Sequence, residues 1–217
     1  MNELFDKLKI KPKNTKLFEI ALTHSSYANE NNVIDYERLE FLGDAILQII
    51  TSDYLYKNYQ SDQGVLTKTR ASIVREEALY YYAKKLNLAK YIKLGHGELN
   101  AKPSIQADVI EALFAAIYLD LGIEIAFKTF EIVVVPYLEI TKQIKDYKTE
   151  LQEFIQLERK SLTYKTNKIG GPSHKPVFKS NVYLEGNILL GTGIGNSKID
   201  SEQKAAEAAL LKVVKEV

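Results

Sequence analysis

Two apolar stretches of this chain carry acids that a buried helix should not tolerate. In the first, Tyr36-Glu37-Arg38-Leu39-Glu40-Phe41-Leu42-Gly43-Asp44-Ala45-Ile46-Leu47, apolar residues recur at helical spacing through Leu39, Leu42, Ile46, Ile49 and Ile50. Glu37, Glu40 and Asp44 stand three and four residues apart. At about 3.6 residues per turn they share an arc of roughly 60°. Like charges so placed repel by roughly 0.2–0.5 kcal/mol per pair. The second stretch, Ser104 to Gly122, is more apolar still, and carries Asp108 and Glu111 on one face. No Lys or Arg lies three or four residues from any of these acids. A carboxylate on an apolar helix is costly unless it is paired or binds a metal. A cation from outside the helix is the natural relief.

If the two helices pack side by side, Glu40, Asp44, Asp108 and Glu111 form one anionic cluster, with Glu37 at its edge. Oxygen ligands without His or Cys select a hard cation, Mg²⁺ or Mn²⁺. Mg²⁺ keeps waters and binds through few carboxylates plus substrate phosphate. Two such ions, about 3.5–4 Å apart, would clamp an in-line displacement at phosphorus. The pattern therefore predicts phosphodiester hydrolysis. The alternative is that each acid pairs with a distant Lys or Arg of the fold. Four acids on two apolar helices, all without local partners, favour the metal.

Composition adds bounds. A chain of 217 residues accommodates one large or two small domains. It has no cysteine, which excludes disulfides and thiolate metal sites. The amino terminus lacks the charged-then-apolar plan of a signal peptide. Val109 to Leu121 is interrupted by Glu111 and Asp120 and is too short for a spanning helix of about 20 residues. These features predict a cytoplasmic protein with no membrane contact. The net charge of +1 hides an asymmetry: 11 basic and 8 acidic residues from Lys148 onward leave 18 and 20 before it.

In chain order, the patterning predicts helices over 3–10 and 15–28, the second containing Leu22-Thr23-His24-Ser25-Ser26-Tyr27. His24 is either a ligand or partner of the acids, or a satisfied structural histidine. A helix over 36–56 follows, then a turn at Ser61-Asp62-Gln63-Gly64 and helical residues 66–82, with a further short helix possible over 75–86. Lys68, Arg70 and Arg75 read as a solvated face, or as guides for phosphate. After a loop at 94–103 come the second acidic helix and another over 125–135, ended from Pro136. Residues 137–148 turn polar and lysine-rich, which places a boundary between domains 1–145 and 146–217. The last part predicts a helix at 149–158, strands at 163–168, 177–184 and 188–194, and an alanine-rich helix at 197–214. Glu185-Gly186-Asn187 reads as a hairpin turn.

Together these features resemble the ribonuclease III family of double-stranded-RNA endonucleases. Glu37-Arg38-Leu39-Glu40-Phe41-Leu42-Gly43-Asp44 is similar to the family's signature helix, and Ala107-Asp108-Val109-Ile110-Glu111-Ala112 to its second acidic motif. The carboxyl-terminal part resembles a double-stranded-RNA-binding domain in its α-β-β-β-α order and its Gly171-Pro172-Ser173-His174 loop. The resemblance covers nearly the whole chain. It implies an all-α endonuclease domain followed by a small α+β RNA-binding domain, and a homodimer with Phe41 at the contact. It also implies Mg²⁺, with Mn²⁺ as a substitute, held by Glu40, Asp44, Asp108 and Glu111. Asp44 and Glu111 would be catalytic, and Glu37 would assist. The products would carry 5′-phosphate and 3′-hydroxyl ends, and the substrates would be ribosomal RNA precursors and structured messenger RNAs.

Duplex RNA is read by shape, through 2′-hydroxyls and phosphates across two minor grooves. Gln152 and Glu153 on one helix are expected at one minor groove, and Gly171, Pro172, Ser173 and His174 at the next. Ser197 and Lys198, at the start of the last helix, are expected on phosphate. Three departures stand out. Gln63 occupies a position where the family commonly has an acid. The loop before Asp108 is short. Ile199-Asp200-Ser201-Glu202 follows Lys198 where more Lys or Arg is usual, which predicts weaker, strongly salt-sensitive RNA binding. Two competing readings are a non-catalytic duplex-RNA-binding protein and a metal enzyme acting on a small diphosphate. The retained acids oppose the first, and the RNA-binding part opposes the second.

Overall fold

The computed structural model describes residues 1–143, 146–157, 159–172 and 176–213. It divides into two units, Met1–Ile144 and Lys145–Val217. The first holds α1 (Asn2–Leu8), α2 (Thr15–Ala21), α3 (Ser25–Asn31), α4 (Glu37–Asn58), α5 (Gln63–Val74), α6 (Glu76–Leu86), α7 (Pro103–Leu121), α8 (Ile123–Val133) and α9 (Leu138–Gln143). Helix α7 is its axle. Pro103 begins it, where a missing N–H costs nothing, and Gly122 ends it at φ 87°. Ile105, Val109, Ile110, Leu113, Phe114 and Ile117 are all buried, so its apolar surface is covered almost all round. Each such side chain contributes about 1.5–3 kcal/mol of burial.

Helix α4 lies against α7 through Leu39, Ile46, Leu47 and Ile50. Their backbones meet at Gly43. A Cβ there would run into the Glu111 carbonyl oxygen and stand 2.9 Å from the Glu111 Cα. Only a residue without a side chain allows this approach.

Three expected elements are corrected. The single helix over 15–28 is two, because residues 22–24 leave the helix to bond across the fold. Lys93 N–H donates to the Leu22 carbonyl (2.8 Å), His24 N–H to the Lys93 carbonyl (3.1 Å) and Tyr36 N–H to the Thr23 carbonyl (3.0 Å). The helical run over 66–82 breaks at Arg75, which is extended at ψ 159°, and the further helix allowed over 75–86 is α6. The turn at 61–64 is instead the start of α5: the Asp62 carboxylate accepts the Val65 N–H at 2.9 Å. A further helix, α9, forms within the stretch read as a polar linker. Its Thr141 is fully buried and accepts the Tyr82 hydroxyl at 3.1 Å.

The second unit runs α10 (Tyr147–Leu157), β1 (Leu162–Gly170), β2 (Val177–Leu184), β3 (Ile188–Gly195) and α11 (Lys198–Val213). The strands form an antiparallel sheet in sequence order. Glu185, Gly186 and Asn187 join β2 to β3, with Leu184 opposite Ile188. The core is Leu151, Ile155, Val182 and Leu190 against Ala205, Ala206, Ala209 and Leu210. Gly191, Gly193 and Gly195 alternate along the inner face of β3. A Cβ at Gly193 would collide with the Ala205 amide and the Ser201 carbonyl of α11. Small residues on both sides let the last helix lie almost on the sheet.

Candidate active site

The α4–α7 crossing delivers the acids. Glu40 and Asp44 sit on either side of Gly43, and Glu111 is the residue that Gly43 meets. Glu37, Glu40, Asp44, Asp108 and Glu111 all line one open cavity of about 660 Å³. His24, Ser25, Tyr36 and Phe41 complete its wall. Glu40, Asp108 and Glu111 are half-buried, whereas Glu37 and Asp44 are exposed.

Among the described residues, no Lys or Arg forms an ion pair with any of the five. Their partners are neutral. Gln48 donates to Asp44 at 3.1 Å from one turn along α4, and the Tyr36 hydroxyl donates to Asp108 Oδ2 at 3.2 Å. No Lys or Arg offsets the charge, and three of the carboxyls are raised above their usual range. Burial, then the charges of Asp44, Glu40 and Asp108, push Glu111 up to about 8. Burial and the charges of Asp108 and Glu37 also raise Glu40. Burial raises Asp108, although the Tyr36 hydroxyl and the His24 ring pull it part of the way back. Glu76, at the start of α6, is raised by burial and by the charges of Glu77 and Asp108, so the negative field reaches beyond the cavity.

The donor set is carboxylate oxygen with one phenol, which suits a hard divalent cation. Among the described residues no three His, Cys, Asp or Glu side chains converge closely enough to hold a metal ion by themselves.

Two comparisons decide the family. Residues 14–138 match a ribonuclease-III-like domain model, and residues 147–213 match the double-stranded RNA binding motif. The chain belongs to the ribonuclease III family. The domain model and the motif together make a double-stranded-RNA-specific endoribonuclease. The chain is 51% identical to ribonuclease 3 of Aster yellows witches'-broom phytoplasma, over 98% of this chain and 91% of the relative. It is 45% identical to ribonuclease 3 of Clostridium tetani, over 97% and 93%. Among solved structures it is similar to the nuclease domain of ribonuclease III from Campylobacter jejuni. That match has a TM-score of 0.58 and 35% identity, covering 62% of this chain and 95% of that one. That domain was described for flexibility in a region involved in dimer formation.

The other expected residues are placed as follows. Phe41 is 83% exposed at the rim of the cavity. Gln152 is half-buried and Glu153 exposed on α10. Gly171 holds a left-handed φ of 79° beside Pro172, while Ser173 and His174 lie outside the described residues. Ser197 caps α11, accepting the Asp200 N–H at 3.0 Å, and Lys198 is exposed. The Asp200 carboxylate holds the Asn196 N–H at 2.9 Å and the Lys204 ammonium at 3.1 Å. Lys204 is therefore already occupied by an acid. His24 has the structural role: its Nδ1 accepts the Ser26 N–H at 3.2 Å as the cap of α3, and it also lines the cavity, with no hydrogen bond to its acids among the described residues. The roles of Tyr36 and Gly43 were missed. Both stand inside the signature stretch, but what they touch lies about 70 residues away and leaves no local trace.

Proposed function

We propose that this enzyme hydrolyses phosphodiester bonds of duplex RNA with Mg²⁺ held by Glu40, Asp44, Asp108 and Glu111, leaving 5′-phosphate and 3′-hydroxyl ends. One observation carries the reading: five carboxylates share a cavity with no Lys or Arg ion-pair partner among the described residues. A hard cation bound there would supply an activated water and neutralise charge on the phosphate. Asp44, exposed on the cavity wall, is placed to meet solvent and substrate. Glu111, raised to about 8 by its surroundings, would give up its proton on holding such a cation. Mn²⁺ would substitute.

The proposal includes a homodimer in which two such cavities each serve one strand. Phe41, Ile49 and Tyr56 are 83%, 60% and 80% exposed and follow one side of α4, within an arc of roughly 80°. An apolar stripe of this kind, beside the cavity, suits a second copy of the chain. The proposed substrates are ribosomal RNA precursors and structured messenger RNAs, and the proposed compartment is the cytoplasm. Among the described residues no helix is long and apolar enough to cross a membrane.

A labelled RNA hairpin incubated with and without Mg²⁺ tests the chemistry. Cutting should need the metal, and Glu111→Gln should abolish cutting while leaving hairpin binding intact. Undiminished cutting by that variant would refute the ligand assignment.

A further inference from the structure

Tyr36 precedes the first turn of α4 and is only 4% exposed. Its hydroxyl nevertheless ends in the acidic cavity, donating to Asp108 Oδ2 at 3.2 Å. The ring is fixed on two further sides. Its own N–H donates to the Thr23 carbonyl at 3.0 Å. The His24 imidazole packs against it with centroids 5.8 Å apart at a tilt of 52°. His24 is anchored in turn, with Nδ1 2.8 Å from the Ser26 hydroxyl and accepting the Ser26 N–H. A chain of contacts thus runs from α3 through His24 and Tyr36 to a carboxylate on α7.

Among the described residues, Tyr36 is the only side chain from outside α4 and α7 that donates a hydrogen bond to Glu40, Asp44, Asp108 or Glu111. That bond has a consequence for orientation. A half-buried carboxylate beside other negative charges gains by turning away from them. The phenol opposes this by engaging Oδ2, which leaves Oδ1 for a ligand in the cavity. Groups that hydrogen-bond a metal-ligating carboxylate in this way orient it, and their loss costs about 10–100-fold in metal affinity or activity.

We propose that Tyr36 is a positioning residue that holds the Asp108 carboxylate toward the cavity and thereby sets how tightly the site takes a divalent cation. The inference rests on the cation role given to Asp108 under the proposed function. Removal of the hydroxyl alone, in Tyr36→Phe, keeps the ring against His24.

The experiment titrates Mn²⁺ alone into the full chain without RNA, reading free Mn²⁺ by electron paramagnetic resonance. Wild type, Tyr36→Phe, Asp108→Asn and the double variant are compared, with melting temperatures alongside. Tyr36→Phe should weaken Mn²⁺ binding by about 10-fold. Its cutting of a hairpin should fall at low Mg²⁺ and recover as Mg²⁺ is raised, with KM for RNA unchanged. The double variant should bind Mn²⁺ no more weakly than Asp108→Asn, because the hydroxyl acts only through that carboxylate. Should Tyr36→Phe also lower the melting temperature, the double-variant comparison still decides, since a merely structural loss would add. Unchanged Mn²⁺ affinity in Tyr36→Phe, or an additive double variant, overturns the inference and leaves the proposed function standing. A wild-type chain that binds no Mn²⁺ and cuts without metal overturns both.

Discussion

Replacing Glu111 by Gln removes one ionisable group from the cluster and keeps its shape. In the unfolded chain this carboxyl titrates near its ordinary 4.5; in the folded protein it titrates at about 8, because it is buried among Asp44, Glu40 and Asp108. Between those values the folded state binds the extra proton, so stability falls as pH rises. The contribution is fully present below pH 4.5 and gone above about pH 8. At about 1.36 kcal/mol per pH unit, the gap sets a ceiling near 5 kcal/mol. Partial solvent exposure reduces this, and about 1–3 kcal/mol is expected, or roughly 2–12 °C in melting temperature at this size. Glu40 and Asp108, also raised, add to the slope with the same sign. The assay is urea unfolding in EDTA at pH 5.5, 7.0 and 8.5. Wild type should weaken steadily toward pH 8.5. Glu111→Gln should differ from it least at pH 5.5, exceed it by the most at pH 8.5, and cut no RNA. Added Mg²⁺ should stabilise wild type at pH 8.5 by favouring the state that binds it, and should stabilise the variant less. Parallel pH curves for the two proteins would refute the claim that Glu111 is held against its own charge.

Gly43→Ala drives a methyl into the Glu111 carbonyl and separates α4 from α7. It should cost at least about 1–3 kcal/mol in a urea melt and reduce cutting in proportion to displaced carboxylates. Ile199→Lys, at a site 43% exposed near the start of α11, restores one phosphate-seeking charge. Filter binding to a duplex should tighten, with the log–log salt slope steeper by about one. By the same relation, the few basic residues here should weaken binding and flatten its salt dependence, so the strong sensitivity expected from the sequence does not follow from them. Phe41→Glu places a charge on the exposed stripe of α4 and should yield monomers in sedimentation, without changing the melting temperature by more than a few degrees.

Much of the site could be read in advance because its cause is local. Apolar periodicity fixes which side of α4 and α7 is buried, and the acids violate it at Glu40, Asp44, Asp108 and Glu111. Strand alternation and the glycines of β3 likewise exposed the α-β-β-β-α order. What escaped was set at long range. Residues 22–24 have helical neighbours, yet they surrender the helix to pair with Lys93 and Tyr36. The break at Arg75 was open in the sequence, which allowed one run over 66–82 or a separate helix over 75–86; the structure takes the second, as α6. Asp62 looked like turn chemistry, but its side chain is the cap of α5. Tyr36 reads as one more aromatic at a helix start until Asp108 is seen beside it.

Gly43 links packing to chemistry. The tightest approach of α4 to α7 falls between Glu40 and Asp44 on one helix and at Glu111 on the other. Helices held apart by side chains would let these charges spread into solvent. Here the backbones touch, so the repulsion cannot relax by separation without losing the burial of Leu39, Ile46, Leu47 and Ile50 against α7. Two outlets remain. Glu111 can keep its proton, toward which burial among Asp44, Glu40 and Asp108 pushes it, or a cation can enter. Both would act on one group, so the divalent-ion binding proposed above would be the counterpart of proton binding. The glycine therefore does more than fill a gap: it holds the acids where only added positive charge relieves them.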